Sequence, residues 1–374
     1  MINHKTLLTL AVLVIVVIAA AIWTQREPIS ETKQGGTLFP ELMGQINSAN
    51  KLKGKTNQDT FTVVREDNQW VVQEKSGYPA DSEKLRKFII GLAELKRLEP
   101  KTSNPELYQK LDLQDVDEAG AKSLQVTVEG ENGDALVNLI VGKEASSAGS
   151  TESKYWYVRI PNEKQAWLVQ GSLPIDKQAN EWLDREILQL TRDRVHEVRV
   201  QHADGETVVI RRENGDETDY ILVDQPEGTV VDSQWGINTI ATTFAELTLE
   251  DVAPVSVIEK ESDSEFVAEI KAFDGLQVEL EATKVADQMY VVLHASVSSA
   301  IPNRLSEVDQ SDGAGGESAS PTGAEDDNMS IRQEAESLNA RWQGWAYIIP
   351  EYAVSNLAVR KEELIKANEQ AVSE

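Results

Sequence analysis

Cysteine is absent from the 374-residue chain, and histidine is scarce. Without cysteine there can be no disulfide, thiol nucleophile or thiolate metal ligand, nor the acylated cysteine of a bacterial lipoprotein. The four histidines are His4, His196, His202 and His294, and no HxH or HxxxH spacing joins them. The sequence therefore predicts no metal site and no cofactor.

Basic residues are also few, with 36 Lys and Arg against 63 Asp and Glu and a formal net charge of −27. Such a chain repels DNA, RNA and anionic lipid headgroups, which are bound through Lys/Arg patches. Nucleic acid is therefore excluded as a partner. The 40% hydrophobic content is nevertheless that of a globular protein, so the acidity does not indicate general disorder.

Motifs of catalysis are missing as well. The sequence has no GxSxG elbow, and Gly54-Lys55-Thr56 is an incomplete phosphate loop because Ala49 stands where its first glycine belongs. The acidic residues Asp81 and Asp232 recur at corresponding places, but helix capping explains both. We predict that the chain is not an enzyme and has no catalytic residues.

What the sequence does contain begins with an uncharged segment, residues 6–25, apolar almost throughout from Leu7 to Trp23. A helix of this length spans about 30 Å, the thickness of a bilayer core. The segment predicts a transmembrane anchor in the lipid bilayer, with a cleaved signal peptide ending near Ala19–Ala21 as the alternative. The positive-inside rule then predicts a single-pass protein of the bacterial inner membrane, mostly periplasmic.

Behind this segment the sequence repeats itself. A pair of strand-like segments, a helix and the tripeptide Ala-Glu-Leu occur twice, with Asp81 matching Asp232 at an offset of 151 and Ala93 matching Ala245 at an offset of 152. The predicted fold class is α+β, with an N-terminal transmembrane helix followed by two tandem, mainly antiparallel α+β repeat units. The predicted segments are an anchor (1–25), a linker (26–44), a first unit (45–192), a second unit (193–368) with a disordered acidic insertion at about 303–329, and a tail (369–374).

Several elements can be placed within the units. The predictions are a hairpin turning at Asp67-Asn68, a helix capped by Asp81 and ended by Pro100 and Pro105, a helix over Asp176–Leu190, a helix capped by Asp232 that carries Trp235, a helix over Ser330–Trp342 and a last helix over Val354–Ile365.

The aromatic run Tyr155-Trp156-Tyr157 lies on a predicted strand, where alternate side chains face opposite ways. Some of these rings should therefore face outward, which makes the run a candidate surface for a ligand or partner. The competing interpretation is core packing, because Trp167 and Tyr347 occupy corresponding places in the two units.

The segment from Trp70 through Tyr78-Pro79-Ala80-Asp81 to Leu92–Leu95, followed by Leu139–Gly142 and Tyr155–Arg159, resembles the bacterial domain of unknown function 4340 family. The resemblance implies an anchored envelope protein associated with ABC-transporter components similar to the gliding-motility type. It implies no catalytic residues.

The leading hypothesis is a non-enzymatic, membrane-anchored extracytoplasmic accessory or scaffold protein whose partner is an ABC transporter permease or ATPase. The alternative is a module that binds a glycan, lipid or peptide between the two repeat units. A third hypothesis, an envelope hydrolase, would need two facing carboxylates with shifted pKa values in one pocket.

Overall fold

The computed structural model describes residues 35–145, 154–258, 263–298 and 322–368, with side chains from Met329 onward in the last range. The described chain forms two compact units. Among the described residues, the first draws on 35–49, Lys55–Gln58, 87–145 and 154–175, and the second on Asn50–Gly54, Asp59–Arg86, 176–258, 263–298 and 322–368. The predicted boundaries at 44, 192 and 368 come from the sequence repeat rather than from compactness, and they stay a prediction.

Antiparallel strands dominate the fold. The first nine are β1 (Ala49–Lys55), β2 (Thr60–Glu66), β3 (Gln69–Val72), β4 (Tyr78–Pro79), β5 (Lys96–Thr102), β6 (Leu124–Gly130), β7 (Ala135–Glu144), β8 (Tyr155–Arg159) and β9 (Ala166–Gln170). They form one sheet in the order β4-β3-β2-β1-β6-β7-β8-β9-β5. The burial of β6 alternates residue by residue, which is the pattern of a strand with one face in the core.

The later strands are β10 (Glu186–Gln189), β11 (Val195–His202), β12 (Thr207–Arg211), β13 (Ile221–Leu222), β14 (Thr229–Val231), β15 (Glu246–Thr248), β16 (Asp251–Pro254), β17 (Ser264–Ala272), β18 (Leu276–Val285), β19 (Gln288–Val297), β20 (Trp345–Ile348) and β21 (Ile365–Ala367). Eight of them form a second sheet in the order β13-β12-β11-β17-β18-β19-β20-β16. This order repeats that of the first sheet without β4. The pairs β10–β15 and β14–β21 stand as separate ribbons.

The α-helices are α1 (Leu42–Gln45), α2 (Ser82–Glu94), α3 (Gln234–Ala245), α4 (Thr322–Trp342), α5 (Glu351–Leu357) and α6 (Lys361–Leu364). Short 3₁₀ helices cover Ile46–Ser48, Gln73–Lys75, Pro105–Leu111, Ala179–Trp182, Arg192–Arg194 and Val255–Val257. The predicted helix over Ser330–Trp342 is confirmed as the last part of α4.

Two local predictions are confirmed in detail. Asp67 and Asn68 have φ of 46° and 69°, the left-handed values that a two-residue hairpin turn requires, and they join β2 to β3. The Asp81 carboxylate accepts a hydrogen bond of 2.9 Å from the Lys84 N–H at the start of α2. Both features depend on neighbouring residues alone, so the sequence suffices to predict them.

The helix predicted over Asp176–Leu190 is wrong. The backbone there bonds to distant segments: the Trp182 carbonyl accepts from the Asp81 N–H at 2.9 Å, and β10 pairs with β15. Ile187 and Leu188 are adjacent and both buried, which a strand covered on both faces allows. Tertiary pairing therefore overrides the local helical pattern.

Other element boundaries also differ. Ser233, not Asp232, caps α3, since its hydroxyl accepts from the Gly236 N–H at 3.3 Å while Asp232 forms an ion pair with Lys366. Helix α2 ends at Glu94, and Pro100 lies in edge strand β5, where register shifts accommodate it. The predicted last helix is divided into α5, α6 and strand β21.

The predicted fold class is also corrected. The fold is a sheet-rich, antiparallel one, and none of the helices in its described residues is long and apolar enough to cross a bilayer. The prediction of a fold with a leading transmembrane helix is therefore wrong for this structure, as is the single-pass inner-membrane location built on it. The segment concerned, residues 6–25, lies outside the described residues, as do residues 26–34, most of the acidic insertion and the 369–374 tail.

Candidate functional site

Helix α3 in the second unit has two unlike faces. Its buried face is formed by Ile237, Ile240, Ala241, Phe244 and Ala245. The opposite face carries polar residues and a tryptophan at helical spacing: Trp235, Thr239, Thr242 and Glu246. Because the buried face already supplies the core contacts of the helix, the outer face is available to a ligand or partner.

The outer face of α3 borders a groove, here called the α3–α5 groove, with a volume of about 430 Å³. It is lined by Arg192, Trp235, Asn238, Thr239, Thr242, Thr243, Glu246, Leu247, Thr248, Tyr352 and Ala353. Trp235 is 76% exposed and Tyr352 is 62% exposed, the highest values among large hydrophobic side chains in the described part of the chain. Two exposed rings beside one groove form an amphipathic surface typical of binding sites.

Hydrogen bonds hold the polar floor of the groove in place. Thr239 and Thr242 donate their hydroxyl protons to the carbonyls of Trp235 and Asn238, at 2.8 and 3.2 Å. Thr243 accepts from the Asn356 amide at 3.0 Å, which joins α3 to α5. These side chains are fixed before anything binds, so a ligand would lose little conformational entropy in contacting them.

The Asn238 side chain, in contrast, is fully engaged in the fold. Its amide oxygen accepts from the Tyr220 N–H at 3.0 Å and the Gln234 amide at 3.2 Å, and its nitrogen donates to Asp219 at 2.8 Å. Asn238 therefore positions α3 rather than offering groups to a ligand.

Two arginines with raised pKa values, Arg194 and Arg360, do not line the groove. Each is hydrogen-bonded to two carboxylates. Hydrogen bonds that Arg194 donates to Glu334 and then to Asp274 keep the pKa of Arg194 above its ordinary value. Hydrogen bonds with Glu206 and Asp204 do the same for the pKa of Arg360. Each arginine joins two carboxylates from separate segments of the chain or of one turn, which is a structural role.

Burial is the largest cause of the raised pKa values of two core tyrosines. Desolvation raises the pKa of Tyr78 and of Tyr347, two rings packed edge to face with centroids 6.1 Å apart. No group of three or more His, Asp or Glu side chains in the described ranges could hold a metal ion.

The candidate surface Tyr155-Trp156-Tyr157 lies on β8 in the first unit, between β7 and β9. Trp156 is buried, and Tyr157 packs against the cluster of Tyr108, Leu113, Ile140 and Ala166. Tyr155 is half-buried. The structure thus does not bring three exposed rings together here, and the use of this run as a binding surface stays a prediction.

Arg159, the last residue of the same motif, is buried. Its guanidinium donates to the Leu113 carbonyl at 3.3 and 3.2 Å and to Asp115 at 2.6 Å, and it lies 4.7 Å from the centre of the Tyr108 ring. The motif therefore anchors the segment after the Pro105–Leu111 turn, which is a structural role.

A second cavity, of about 480 Å³, lies within the first unit beside the end of α2. Met43, Lys96 and Lys154 are among its lining residues, and all three are exposed. No aromatic ring lines it. This cavity therefore lacks the pair of exposed rings that borders the α3–α5 groove.

The sequence predicts α3 but places Trp235 among its apolar residues without distinguishing the exposed ring. The helical period distinguishes the exposed ring from the buried residues. Ile237, Ile240 and Phe244 share one face, and Trp235 lies about 200° from Ile237 around the helix axis. Tyr352 could not be paired with Trp235 in this way, because α5 lies more than a hundred residues along the chain.

Residues 70–265 match the family described as a domain of unknown function (DUF4340). The match covers just over half of the chain, from Trp70 on β3 to Glu265 on β17. The chain belongs to the DUF4340 family. No curated protein and no solved structure matches it. The DUF4340 match includes α3 and the Trp235 side of the groove, whereas Tyr352 lies beyond its end.

Proposed function

We propose that this DUF4340 protein is a non-enzymatic accessory or scaffold protein of an ABC-type transport assembly. In this proposal it contacts a protein partner, a permease or ATPase of the assembly, through the α3–α5 groove. The observation that carries the proposal is the pair of rings, Trp235 and Tyr352, exposed at 76% and 62% beside a rigid groove. Aromatic side chains of this kind supply most of the energy at protein interfaces.

The transport assignment rests on the family resemblance alone, which implies an association with ABC-transporter components. The assignment to binding rather than catalysis is supported by the groove chemistry. Thr239 and Thr242 are bonded to their own helix, and Asn238 is engaged in the fold. A hydrolase of the kind considered above would need two facing carboxylates, and the described lining of the groove holds one, Glu246.

The test is co-purification of the tagged full-length protein from its native cells, with mass spectrometry of what elutes. We expect an ABC permease or ATPase with the wild type and at least about tenfold less of it with Trp235→Ala, the loss typical of an interface hot spot. Because Trp235 is exposed, its removal should change folding stability by less than about 0.5 kcal/mol.

Met329→Ala is the matched control, because Met329 is another exposed large side chain, at 60%, outside the groove. It should recover the partner as well as the wild type does. Equal recovery by Trp235→Ala would overturn the groove as the contact surface. Recovery of no transport protein by the wild type would overturn the accessory role itself.

A ligand-binding module is the second candidate, favoured by the size of the groove. A volume of about 430 Å³ falls in the range of small-molecule sites. Thermal-shift screening of wild type against Trp235→Ala checks this candidate, since a true groove ligand should raise the melting temperature of the wild type only.

A further inference from the structure

Three side chains of the α3–α5 groove present hydrogen-bond acceptors. Thr239 and Thr242 donate their hydroxyl protons to helix carbonyls, so they present oxygen lone pairs to a ligand. Glu246 adds a carboxyl group. A ligand that matches these three side chains must supply hydrogen-bond donors.

The negative charge of Glu246 at one end of the groove favours a positively charged ligand. Glu246 directly follows the last residue of α3, where the helix dipole is negative, and its exposed carboxylate has no ion pair within the described ranges. Arg192 is the one cation among the described lining residues, with one N–H group donated to the Thr218 carbonyl, and Glu246 is the one carboxylate. The chain as a whole carries −27 charges, so a cation is drawn toward this surface from a distance.

The rings add a further preference for positive charge. The face of an indole or phenol ring carries negative electrostatic potential and attracts an ammonium or guanidinium group. Trp235 and Tyr352 therefore suit the same ligand as Glu246. From Trp235 to Glu246 the lining extends along α3 for about 17 Å, at 1.5 Å per residue. An extended peptide fills such a length, whereas a single sugar ring does not.

We infer that the α3–α5 groove binds a basic segment of the partner protein, with one lysine or arginine side chain over Trp235 or Tyr352 and another beside Glu246. The inference rests on the proposed function, since it names the chemistry of the partner at the same surface. Donor-rich main chain, cationic side chain and elongated shape together match the acceptors, rings and length of the groove.

The experiment measures fluorescence anisotropy of a labelled peptide of repeated Gly-Lys-Ala, against the same peptide with acetylated lysines, at about 0.15 M salt. Wild type should prefer the unmodified peptide. Trp235→Ala and Glu246→Gln should each weaken its binding about threefold to tenfold, the effect of losing one cation–ring contact or one close charge.

Glu336→Gln is the matched control, because Glu336 is exposed on α4 and its removal changes the net charge by the same amount as Glu246→Gln. It should leave binding unchanged. Equal weakening by both charge variants would mean diffuse attraction to an acidic chain and would overturn the inference. Displacement of the peptide by a neutral oligosaccharide, dependent on Trp235, would also overturn it in favour of a glycan site.

The failure of this inference can be told apart from the failure of the proposed function. If co-purification yields an ABC permease or ATPase through Trp235 but the acetylated peptide binds as well as the unmodified one, the accessory role stands and the basic segment is wrong. If co-purification yields no transport partner while the peptide binds as expected, the groove chemistry stands and the transport role is wrong.

Discussion

At the scale of single residues, Gly54 illustrates how packing can imitate a motif. Gly54-Lys55-Thr56 has the last three residues of a phosphate loop, yet it lies at the end of strand β1. A Cβ atom at Gly54 would overlap the ring of Phe61, which stacks on Trp182 with centroids 5.3 Å apart. The glycine is therefore required by the close approach of an aromatic ring, not by a phosphate.

We expect Gly54→Ala to lower the free energy of unfolding by about 1–3 kcal/mol, the usual effect of overpacking a core. Phe61 cannot withdraw easily, because Trp182 is fully buried behind it. Urea denaturation followed by far-ultraviolet circular dichroism measures the change. Gly44→Ala is the control, since an added Cβ there meets nothing within 4 Å. A Gly54→Ala protein as stable as wild type would contradict the packing argument.

Residue-level predictions succeed where the determinants are local. The turn at Asp67-Asn68 and the cap at Asp81 are both confirmed, since their geometry depends on a few adjacent residues. The cap at Asp232 is wrong because Lys366, far along the chain, engages that carboxylate. Sequence spacing carries no information about such a partner.

At the scale of elements, α4 completes part of the second sheet. The Asn339 amide binds both main-chain groups of Ala295 on β19, accepting from its N–H at 2.8 Å and donating to its carbonyl at 2.7 Å. This is the pairing that a neighbouring strand would provide. Strand β20 itself pairs with β19 only at Val291, so the helix protects an edge that a strand leaves open.

We expect Asn339→Ala to destabilise the second unit by roughly 2–4 kcal/mol, because the buried N–H and carbonyl of Ala295 would both lose their partner. Amide hydrogen exchange should show faster exchange at Ala295. Gln333→Ala, an exposed change on the same helix, is the control. Unchanged exchange at Ala295 would mean that another group protects this edge.

The elements that the sequence mispredicts are those decided by distant pairing. The segment over Asp176–Leu190 has a helical apolar pattern, but β15 recruits Glu186–Gln189 as a strand from about sixty residues away. The candidate groove has the same character. The residues that α3 contributes can be predicted from the helical period. The contribution of α5 cannot, because it depends on the tertiary contact that brings Tyr352 to the outer face of α3.

At the scale of the whole molecule, the excess of acidic groups sets the response to pH. The pKa of Asp204 is lowered by the Glu206 backbone N–H and then by Arg360, and the pKa of Glu206 by Arg360 and then by the Lys361 backbone N–H. Both fall below their ordinary values of 3.8 and 4.5. Because the folded state binds these protons less readily than the unfolded state does, the clusters stabilise the fold above those values.

We therefore expect stability to fall as the pH drops below about 4.5 toward the lowered pKa values, as these carboxylates become protonated. Arg360→Gln should be less stable than wild type at pH 6 and should converge with it as the pH falls through the lowered pKa values of Asp204 and Glu206. Denaturation midpoints at several pH values test this. The control is Arg86→Gln, because Arg86 is exposed and has no ion pair in the described structure. Its denaturation midpoint should change with pH as that of the wild type does. Failure of the Arg360→Gln and wild-type curves to converge would contradict the linkage.

The exposure of Trp235 also gives the protein an optical reporter at its groove. Trp156, Trp167, Trp182 and Trp342 are buried, so their fluorescence emission is shielded from water and from dissolved quenchers such as iodide. Trp235 is open to both. Trp70 and Trp345 are half-buried. The part of the red-edge emission and of its quenching that is lost in Trp235→Phe therefore reports on that indole, and occupation of the groove can be followed by light on the unlabelled protein.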